Sequence, residues 1–492
     1  CPQLVDVSAE ALPLLRVLEI GGCDHAVLRS LVQAAPSITM LDVRLTYEVW
    51  SGVMEHIGAV EEVGIQWCNE IRYLWESEEE ASKVLVNIKK LDVRECSNLV
   101  SLGEKEEEDN FGSSLLSSLR TLHVSKCNKM EHCCCPNSIE SLDIYKCSSL
   151  THVSFPTSAT GGGRQKLKSL EIGGCSKLIE KINNINTGKL ERIDIRGWTN
   201  LKSLMELGNF IYLNVLYLKN CPCLKSFPDI PLPVLTHLEI VNCERMESFS
   251  AHQMSNLTSL KELVIRDCPS IDASGHGGVW PPNLCSLKIG RLKKPMSEWG
   301  PQSFPSSLVE LELYDEADVK NFRQLSHLFP SSLTKLRINH FVQLESLSMG
   351  LQHLTSLQHL TIWRCQKMKH LPKHLTSLQH LHLEHCPKMK HLPKQLLPSL
   401  LSLEIYGCRK LRKRCEGRGS HYYPLISHIP RSWIPKAVKR EIVPNRYQEH
   451  LLVKEEAPTT IPSSLISLIF TLTQDFIYVE VEDMIKENNT IQ

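Results

Sequence analysis

Residues 354–373 read LTSLQHLTIWRCQKMKHLPK, and residues 375–394 read LTSLQHLHLEHCPKMKHLPK. The two segments are nearly identical, so one structural unit of this chain has been copied whole. In each copy, apolar residues and a cysteine follow the spacing Leu-x-x-Leu-x-Ile/Leu-x-x-Cys, with a further apolar residue three positions later. Such self-similarity over a short period predicts an architecture of stacked repeats.

The same pattern recurs along most of the chain. Its clearest copies begin at Leu15, Ile88, Leu119, Ile139, Leu167, Leu213, Leu235, Leu260, Leu357, Leu378 and Leu400. Weaker copies begin at Ile38, Val60, Leu190, Leu284, Leu308 and Leu333, and Trp198, Leu292, Glu316 and Phe341 are among the residues that replace the cysteine. About 17 turns at a spacing of roughly 20–25 residues are typical of leucine-rich repeats.

Each repeat predicts one short strand. In Leu91-Asp92-Val93 the two apolar residues point into the core and the residue between them points out, because side chains alternate along a strand. One turn alone has nothing to pack against, whereas stacked turns share a continuous apolar core. The sequence therefore predicts an α/β-type leucine-rich-repeat solenoid, or horseshoe, with a parallel sheet on the concave face and loops and short helical turns on the convex face.

The cysteines follow the repeat. Most of the 19 close a predicted strand, where leucine-rich repeats carry Asn or Cys. A buried thiol there acts as a small apolar group with a weak hydrogen-bonding capacity. We therefore predict reduced core cysteines, which indicate an intracellular compartment.

The pattern also divides the chain. Residues 1–411 are predicted to form the repeats, residues 412–434 a C-terminal cap, and residues 435–492 a non-repeat tail, flexible or separately packed. Three longer spacings contain the charged or glycine-rich residues 76–80, 104–109 and 161–166, which we predict to be exposed loops.

Charge and hydropathy restrict the function. The 55 basic and 55 acidic residues cancel, so no global basic field draws the chain to nucleic acid. We expect no membrane span, since no window approaches the roughly 20 apolar residues that one needs. The chain begins at Cys1 without a secretory signal, and we expect either a fragment or a processed product.

Catalytic and metal sites are not predicted. His132-Cys-Cys-Cys-Pro136 is rich in potential zinc ligands but lacks the paired C-x₂-C spacing of zinc sites. The histidines between His353 and His391 come largely from the duplicated turn and predict a solvated face. Residues 161–166 lack the P-loop spacing. We expect a non-enzyme with no cofactor or metal of its own.

The outward strand positions carry the binding prediction. Between the two core positions lie many acidic residues: Glu19, Asp42, Asp92, Asp143, Glu171, Asp194, Glu239, Glu312 and Glu404. One interpretation is that they neutralise a parallel basic row as weak surface ion pairs. The other interpretation is that the outward positions form a protein-binding surface, because aromatic and Arg residues contribute most of the binding energy at protein interfaces. Its predicted contacts are Trp67, Arg94, Tyr145, Arg196, Tyr217, Lys219, Arg266, Tyr314, Trp363, Glu384 and Tyr406.

The repeats resemble those of a known family. Cys221-Pro-Cys-Leu-Lys-Ser-Phe-Pro228, Cys386-Pro-Lys-Met-Lys-His-Leu-Pro393 and the closing Ile426-Ser-His-Ile-Pro430 are similar to the repeat region of plant nucleotide-binding leucine-rich-repeat disease-resistance receptors of the coiled-coil class. The resemblance covers residues 1–433.

The resemblance implies a protein ligand, either a pathogen effector or a guarded host protein, and a cytoplasmic or nucleo-cytoplasmic location. It also implies contact with a nucleotide-binding domain, where ADP or ATP would bind, that is not part of these 492 residues. The alternative is a substrate adaptor of a ubiquitin ligase or another free-standing binding scaffold, which a short helical adaptor-binding domain upstream would indicate.

Overall fold

The fold is seen in a computed structural model, which describes residues 14–21, 25–44, 60–75, 85–103, 116–155, 165–178, 189–204, 210–227, 229–276, 279–300, 304–347, 350–415 and 420–434. The chain divides into two compact units. The first unit includes Cys1–Lys166 and the second is Leu167–Lys436.

Short parallel strands dominate both units. The described part of the first unit has strands β1 Val17–Gly21, β2 Met40–Arg44, β3 Glu62–Gln66, β4 Lys90–Arg94, β5 Thr121–Ser125, β6 His132–Cys134, β7 Ser141–Tyr145 and β8 His152–Ser154. The second has β9 Ser169–Gly173, β10 Arg192–Arg196, β11 Val215–Lys219, β12 His237–Val241, β13 Glu262–Cys268, β14 Ser286–Leu292, β15 Glu310–Tyr314, β16 Lys335–Asn339, β17 His359–Trp363, β18 His380–Glu384, β19 Ser402–Tyr406 and β20 Arg431–Trp433.

Neighbouring strands pair in parallel, without slippage of register. In the first unit β1, β2, β3, β4, β5 and β7 form one sheet, and β6 pairs with β8 in a small second sheet. In the second unit β9 to β20 pair in chain order. Leu263 of β13, for example, lies between Leu238 and Leu287, and all three are buried. Identical register keeps the second and fourth residues of paired strands on the core side, which confirms the predicted leucine-rich-repeat solenoid.

A left-handed residue ends most strands, immediately before the cysteine position. The residue is glycine at Gly174, Gly197 and Gly407, but elsewhere it carries a side chain, as at Glu95, with φ 56°. Its N–H donates to the neighbouring turn, as in the 2.8 Å bond from Glu95 N to Ser125 O. This bond offsets the steric cost of a positive φ in a residue with a Cβ.

The cysteines form a ladder inside the solenoid. The Cys268 thiol donates to Arg266 O at 3.2 Å and lies 3.8 Å from Ile240 O in the preceding turn. The cysteines in the described residues form no disulfide. Burial raises the pKa of Cys365 to about 12, so its thiol keeps the proton that it donates.

Two of the turns that lack the cysteine place a side chain with a polar group at this position. Trp198 is fully buried, and its indole N–H donates to Leu178 O at 3.2 Å. Glu316 is also buried, and its carboxylate accepts the N–H of Met296 at 3.1 Å. Both side chains still satisfy a backbone group of the preceding turn, as the cysteines do.

Short helical segments connect the strands. The α-helices are α1 His25–Ala34, α2 Ala251–Asn256, α3 Arg409–Cys415 and α4 Tyr423–Ile426, and the 3₁₀ turns are Leu85–Asn87, Ala273–His276, Met296–Glu298, Phe322–Leu328 and Lys394–Ser399. Helix α2 begins with a capping box, in which Ser250 and Gln253 bond to each other's backbone N–H. Among the described residues, no helix has the length and apolarity to cross a bilayer.

The end of the repeats is tied down by polar contacts. The Tyr422 hydroxyl bonds to both backbone groups of Leu392, at 3.1 and 3.2 Å, and β20 pairs with β19. The division into repeats, cap and tail stays a prediction. The predicted loops 76–80 and 104–109, most of 161–166, and the tail 435–492 lie outside the described residues.

Candidate protein-binding surface

The candidate surface is the outward face of the sheet in the second unit. We define it by the first, third and fifth residues of each strand from β9 to β19. In β11 the burial alternates, with Leu216 and Leu218 buried and the residues between and beside them partly exposed. Because strands pair in register, equivalent residues form rows across the sheet, one residue per turn.

A depression of about 430 Å³ lies on this face across β11 to β16. Tyr217 lines it on β11, Arg266 on β13 and Tyr314 on β15. The depression therefore combines three of the predicted contact residues, which are 48 or more residues apart in sequence, in one place.

Tyr314 packs closely against Arg266 and Gly290 of the preceding strands. The guanidinium carbon of Arg266 lies 5.0 Å from the centre of the Tyr314 ring. Strand β14 separates the two, and Gly290 is its residue in this row. A Cβ built on Gly290 would lie only 2.7 Å from Tyr314 Cβ. Glycine is thus the residue that allows this aromatic side chain to approach the strand.

The Tyr314 hydroxyl belongs to a short polar chain. Burial, followed by a hydrogen bond to the Glu312 carboxylate, raises the pKa of Tyr314. Glu312 is itself buried and accepts a 2.7 Å bond from Asn339 Nδ2. These bonds fix the ring before any ligand arrives, and preorganisation of this kind reduces the entropic cost of binding.

Tyr217 at the other side of the depression lies among cations. The Arg192 guanidinium carbon is 4.8 Å from its ring centre, and Lys219 Nζ is 5.2 Å away. Lys219 also pairs with Glu239 at 2.8 Å. Both predicted residues, Tyr217 and Lys219, are thus only partly exposed and already have intramolecular partners.

A second depression of about 280 Å³ lies across β16 to β19. His359 and His380 stack there with ring centres 4.2 Å apart. His382 lies between two carboxylates, 3.2 Å from Glu384 and 2.8 Å from Glu404. This part of the face is polar, and Glu384 joins it through His382.

The edge of the face near β20 is aromatic. Tyr406 is exposed and stacks on Trp433, with ring centres 6.1 Å apart and planes 5° from parallel. Trp363 is partly exposed, and the Arg364 guanidinium carbon lies 4.5 Å from its ring centre. The repeat pattern does not identify Trp433, because Trp433 lies 27 residues after Tyr406 and does not occupy a repeat position. Its exposure at 58% is the feature that identifies it.

Two of the predicted arginines make bidentate ion pairs within their own strands. Arg196 donates to both carboxylate oxygens of Asp194, at 2.8 and 2.6 Å, and this bond raises the pKa of Arg196. Arg94 pairs with Asp92 in the same way, at 2.8 and 2.5 Å. At these positions the geometry favours mutual neutralisation of the acidic and basic rows.

The first unit carries the remaining predicted contacts. Trp67 lies one residue after the end of β3, and its indole N–H donates to Glu95 Oε2 at 2.7 Å. Lys126 Nζ binds the other oxygen of Glu95 at 2.7 Å. Tyr145 is the last residue of β7, exposed, with Lys146 Nζ 5.1 Å from its ring centre.

The cysteine-rich segment has structural contacts. Cys133, Cys134 and Cys135 are buried, and Cys134 Sγ lies 3.2 Å from Ser154 Oγ of β8. The rings of His132 and His152 stack 5.3 Å apart. In the part of the chain that the structure describes, no group of three potential ligands could hold a metal ion.

Two curated proteins align with part of this chain. Disease resistance protein RPS4B of Arabidopsis thaliana is 27% identical over 250 residues, which are 50% of this chain and 18% of that protein. Disease resistance protein RML1A of the same plant is 28% identical over 182 residues, 36% of this chain and 17% of that protein. This chain is a homologue of plant disease-resistance proteins. It spans less than a fifth of the length of these two homologues, and its solenoid is consistent with the leucine-rich-repeat region of such a protein. The coiled-coil class stays a prediction.

Two solved structures align with most of this chain. A TLR13–ssRNA13 complex gives a TM-score of 0.49 at 16% identity, covering 81% of this chain and 62% of that one. A leucine-rich-repeat protein of Leptospira interrogans gives 0.45 at 19% identity, covering 81% and 89%. No protein-family model matches the chain.

Proposed function

We propose that this chain is the protein-recognition scaffold of an intracellular plant immune receptor and binds a pathogen effector or a guarded host protein. The observation that carries the proposal is the fixed arrangement of Arg266 and Tyr314 beside an open depression on the outward face. Tyr, Trp and Arg side chains typically contribute most of the binding free energy at protein interfaces, and here neighbouring residues hold them in place. Homology to disease-resistance proteins supports the setting in plant defence.

The scaffold acts without catalysis. A bound ligand changes the state of a receptor only by as much as its affinities for the two states differ. In the proposed receptor the second state involves a nucleotide-binding domain, which would contact this chain and bind ADP or ATP. The proposed location is the cytoplasm, because the ligand and the nucleotide-binding domain would both be located there.

The test is a binding screen with matched variants. The 492-residue chain is screened by yeast two-hybrid against secreted proteins of plant pathogens, and each positive is measured with purified proteins. Tyr314→Ala and Trp363→Ala should each weaken binding at least about tenfold, with thermal unfolding nearly unchanged. The control is Tyr212→Ala, since Tyr212 is exposed but lies before β11 and outside the outward face. Unchanged binding in both test variants would refute the proposed surface.

A further inference from the structure

A second charged surface lies apart from the outward face. Between Cys365 and Cys415 the sequence has 11 Lys and Arg residues but only two acidic residues, whereas the whole chain is neutral. The two acidic residues, Glu384 and Glu404, belong to strands β18 and β19 of the outward face. The positive charge is therefore concentrated in the segments that follow the strands.

Repetition aligns these basic residues. Two residues after the cysteine of consecutive turns come Lys367, Lys388 and Lys410, and four residues after it come Lys369, Lys390 and Arg412. We call these six residues the lateral basic surface. Neighbouring strands of a sheet are about 5 Å apart, and these residues lie within six residues of the ends of neighbouring strands β17, β18 and β19. The rows thus place like charges at a distance where they repel one another.

Contacts show that the charges converge. Lys369 Nζ binds Glu345 in the preceding turn at 2.7 Å, and this bond, with the nearby Lys367 and Lys388, lowers the pKa of Glu345. At the other end, Arg414 lies 2.8 Å from His391 Nδ1, and the pKa of His391 is lowered by burial and by Arg414 and Lys390. At each end, cations from more than one turn therefore act on one side chain.

We propose that the lateral basic surface docks an acidic segment, rich in Glu or Asp, of a partner protein. Glu345 shows the mode of binding, because a carboxylate at the edge of the surface is held by one lysine and stabilised by two more. A partner with one carboxylate per turn would continue this pairing across the next two turns and offset the repulsion between the lysines.

Nucleic acid and membrane are less suited to the surface. Single-stranded nucleic acid is held by aromatic side chains on which bases stack, and segments 367–373, 388–394 and 409–415 contain no Phe, Tyr or Trp. A membrane surface commonly needs apolar side chains beside the basic ones. Here the Leu and Met side chains of the segments are buried: Met368, Leu371, Met389, Leu392 and Leu411.

The experiment measures binding of a fluorescein-labelled oligoglutamate peptide to the full chain by anisotropy. The test variant combines Lys367→Glu, Lys388→Glu and Lys410→Glu, and should bind at least about tenfold more weakly. The matched control combines Lys225→Glu, Lys261→Glu and Lys293→Glu, which change three exposed lysines of other turns and should leave affinity nearly unchanged. Lys225 occupies the same repeat position as Lys369.

Circular dichroism verifies that each variant is folded, and wild-type binding should weaken as salt increases. If the glutamate variant does not fold, the same three lysines are changed to glutamine and the same loss is expected. Equal affinity of wild type and test variant would overturn the proposal, and so would an equal loss in the control. Tighter binding to oligouridylate or to phosphatidylserine vesicles than to oligoglutamate would overturn it in favour of nucleic acid or lipid. Because Tyr314 and Trp363 do not take part, this result is independent of the outward-face variants.

Discussion

Replacing Glu316 by glutamine should stabilise this chain in alkaline solution and have little effect in acid. Burial, together with the nearby Asp318 and Asp315, raises the pKa of Glu316 from 4.5 to about 7, although the N–H of Met296 partly opposes this. Glu316 occupies a cysteine position, so the carboxyl group lies in the core of the solenoid. The neutral acid fits this site better than the carboxylate does.

The sign and size follow from proton linkage. A group with a raised folded-state pKa makes its full contribution to stability below its unfolded-state pKa, here 4.5, and loses it as pH rises through about 7. A shift of this size corresponds to about 3 kcal/mol of unfolding free energy lost between acid and alkaline solution. Glutamine keeps an oxygen for Met296 but buries a new amide, which costs about 1 kcal/mol. Glu316→Gln should therefore be more stable by about 2 kcal/mol at about pH 8.

Urea unfolding followed by circular dichroism at about pH 5 and about pH 8 measures the effect. The control is Glu244→Gln, because Glu244 is an exposed carboxylate in another turn. The variant Glu316→Gln should lose most of the difference in unfolding free energy between the two pH values, and Glu244→Gln should keep it. If Glu316→Gln retains the wild-type pH dependence, the carboxylate is not destabilised by burial and the reasoning fails.

Two further predictions concern the core. Leu263→Asp should destabilise the second unit by more than about 4 kcal/mol, since it places an unpaired charge between Leu238 and Leu287. The control is Lys261→Asp at an exposed position. If Leu263→Asp melts at the same temperature as wild type and the control, the register is wrong. Trp198→Phe should cost about 2 kcal/mol, because it removes the buried donor to Leu178 O and leaves a cavity. Trp433→Phe, at an exposed position, is its control, and equal urea midpoints for the two variants would contradict the structural role of the indole.

The register of the strands could be predicted from the sequence because the periodicity is strong. Leu91 and Val93 alternate with a polar residue, and this pattern alone determines which side chains are buried. The left-handed residue before each cysteine could not be predicted, since Glu95 or Asn242 gives no glycine signal at that position. Its conformation is stabilised by a hydrogen bond to the next turn, which depends on stacking.

The binding surface was predicted only as a set of residue types. Tyr217, Arg266 and Tyr314 were each identified from their outward positions. Their convergence on one depression depends on register across five strands and on Gly290, whose missing side chain leaves room for Tyr314. The contact of Trp433 with Tyr406 depends on how β20 packs, which the repeat pattern does not determine.

Photocrosslinking shows whether a protein ligand contacts the outward face. Benzoylphenylalanine is incorporated at position 314 or, as the control, at position 212, and the chain is irradiated with a ligand found in the screen. We expect a covalent complex from position 314 and none from position 212, which is also aromatic and is more exposed but lies outside this face. Crosslinking from position 212 alone would contradict binding at the outward face and place the ligand elsewhere on the solenoid.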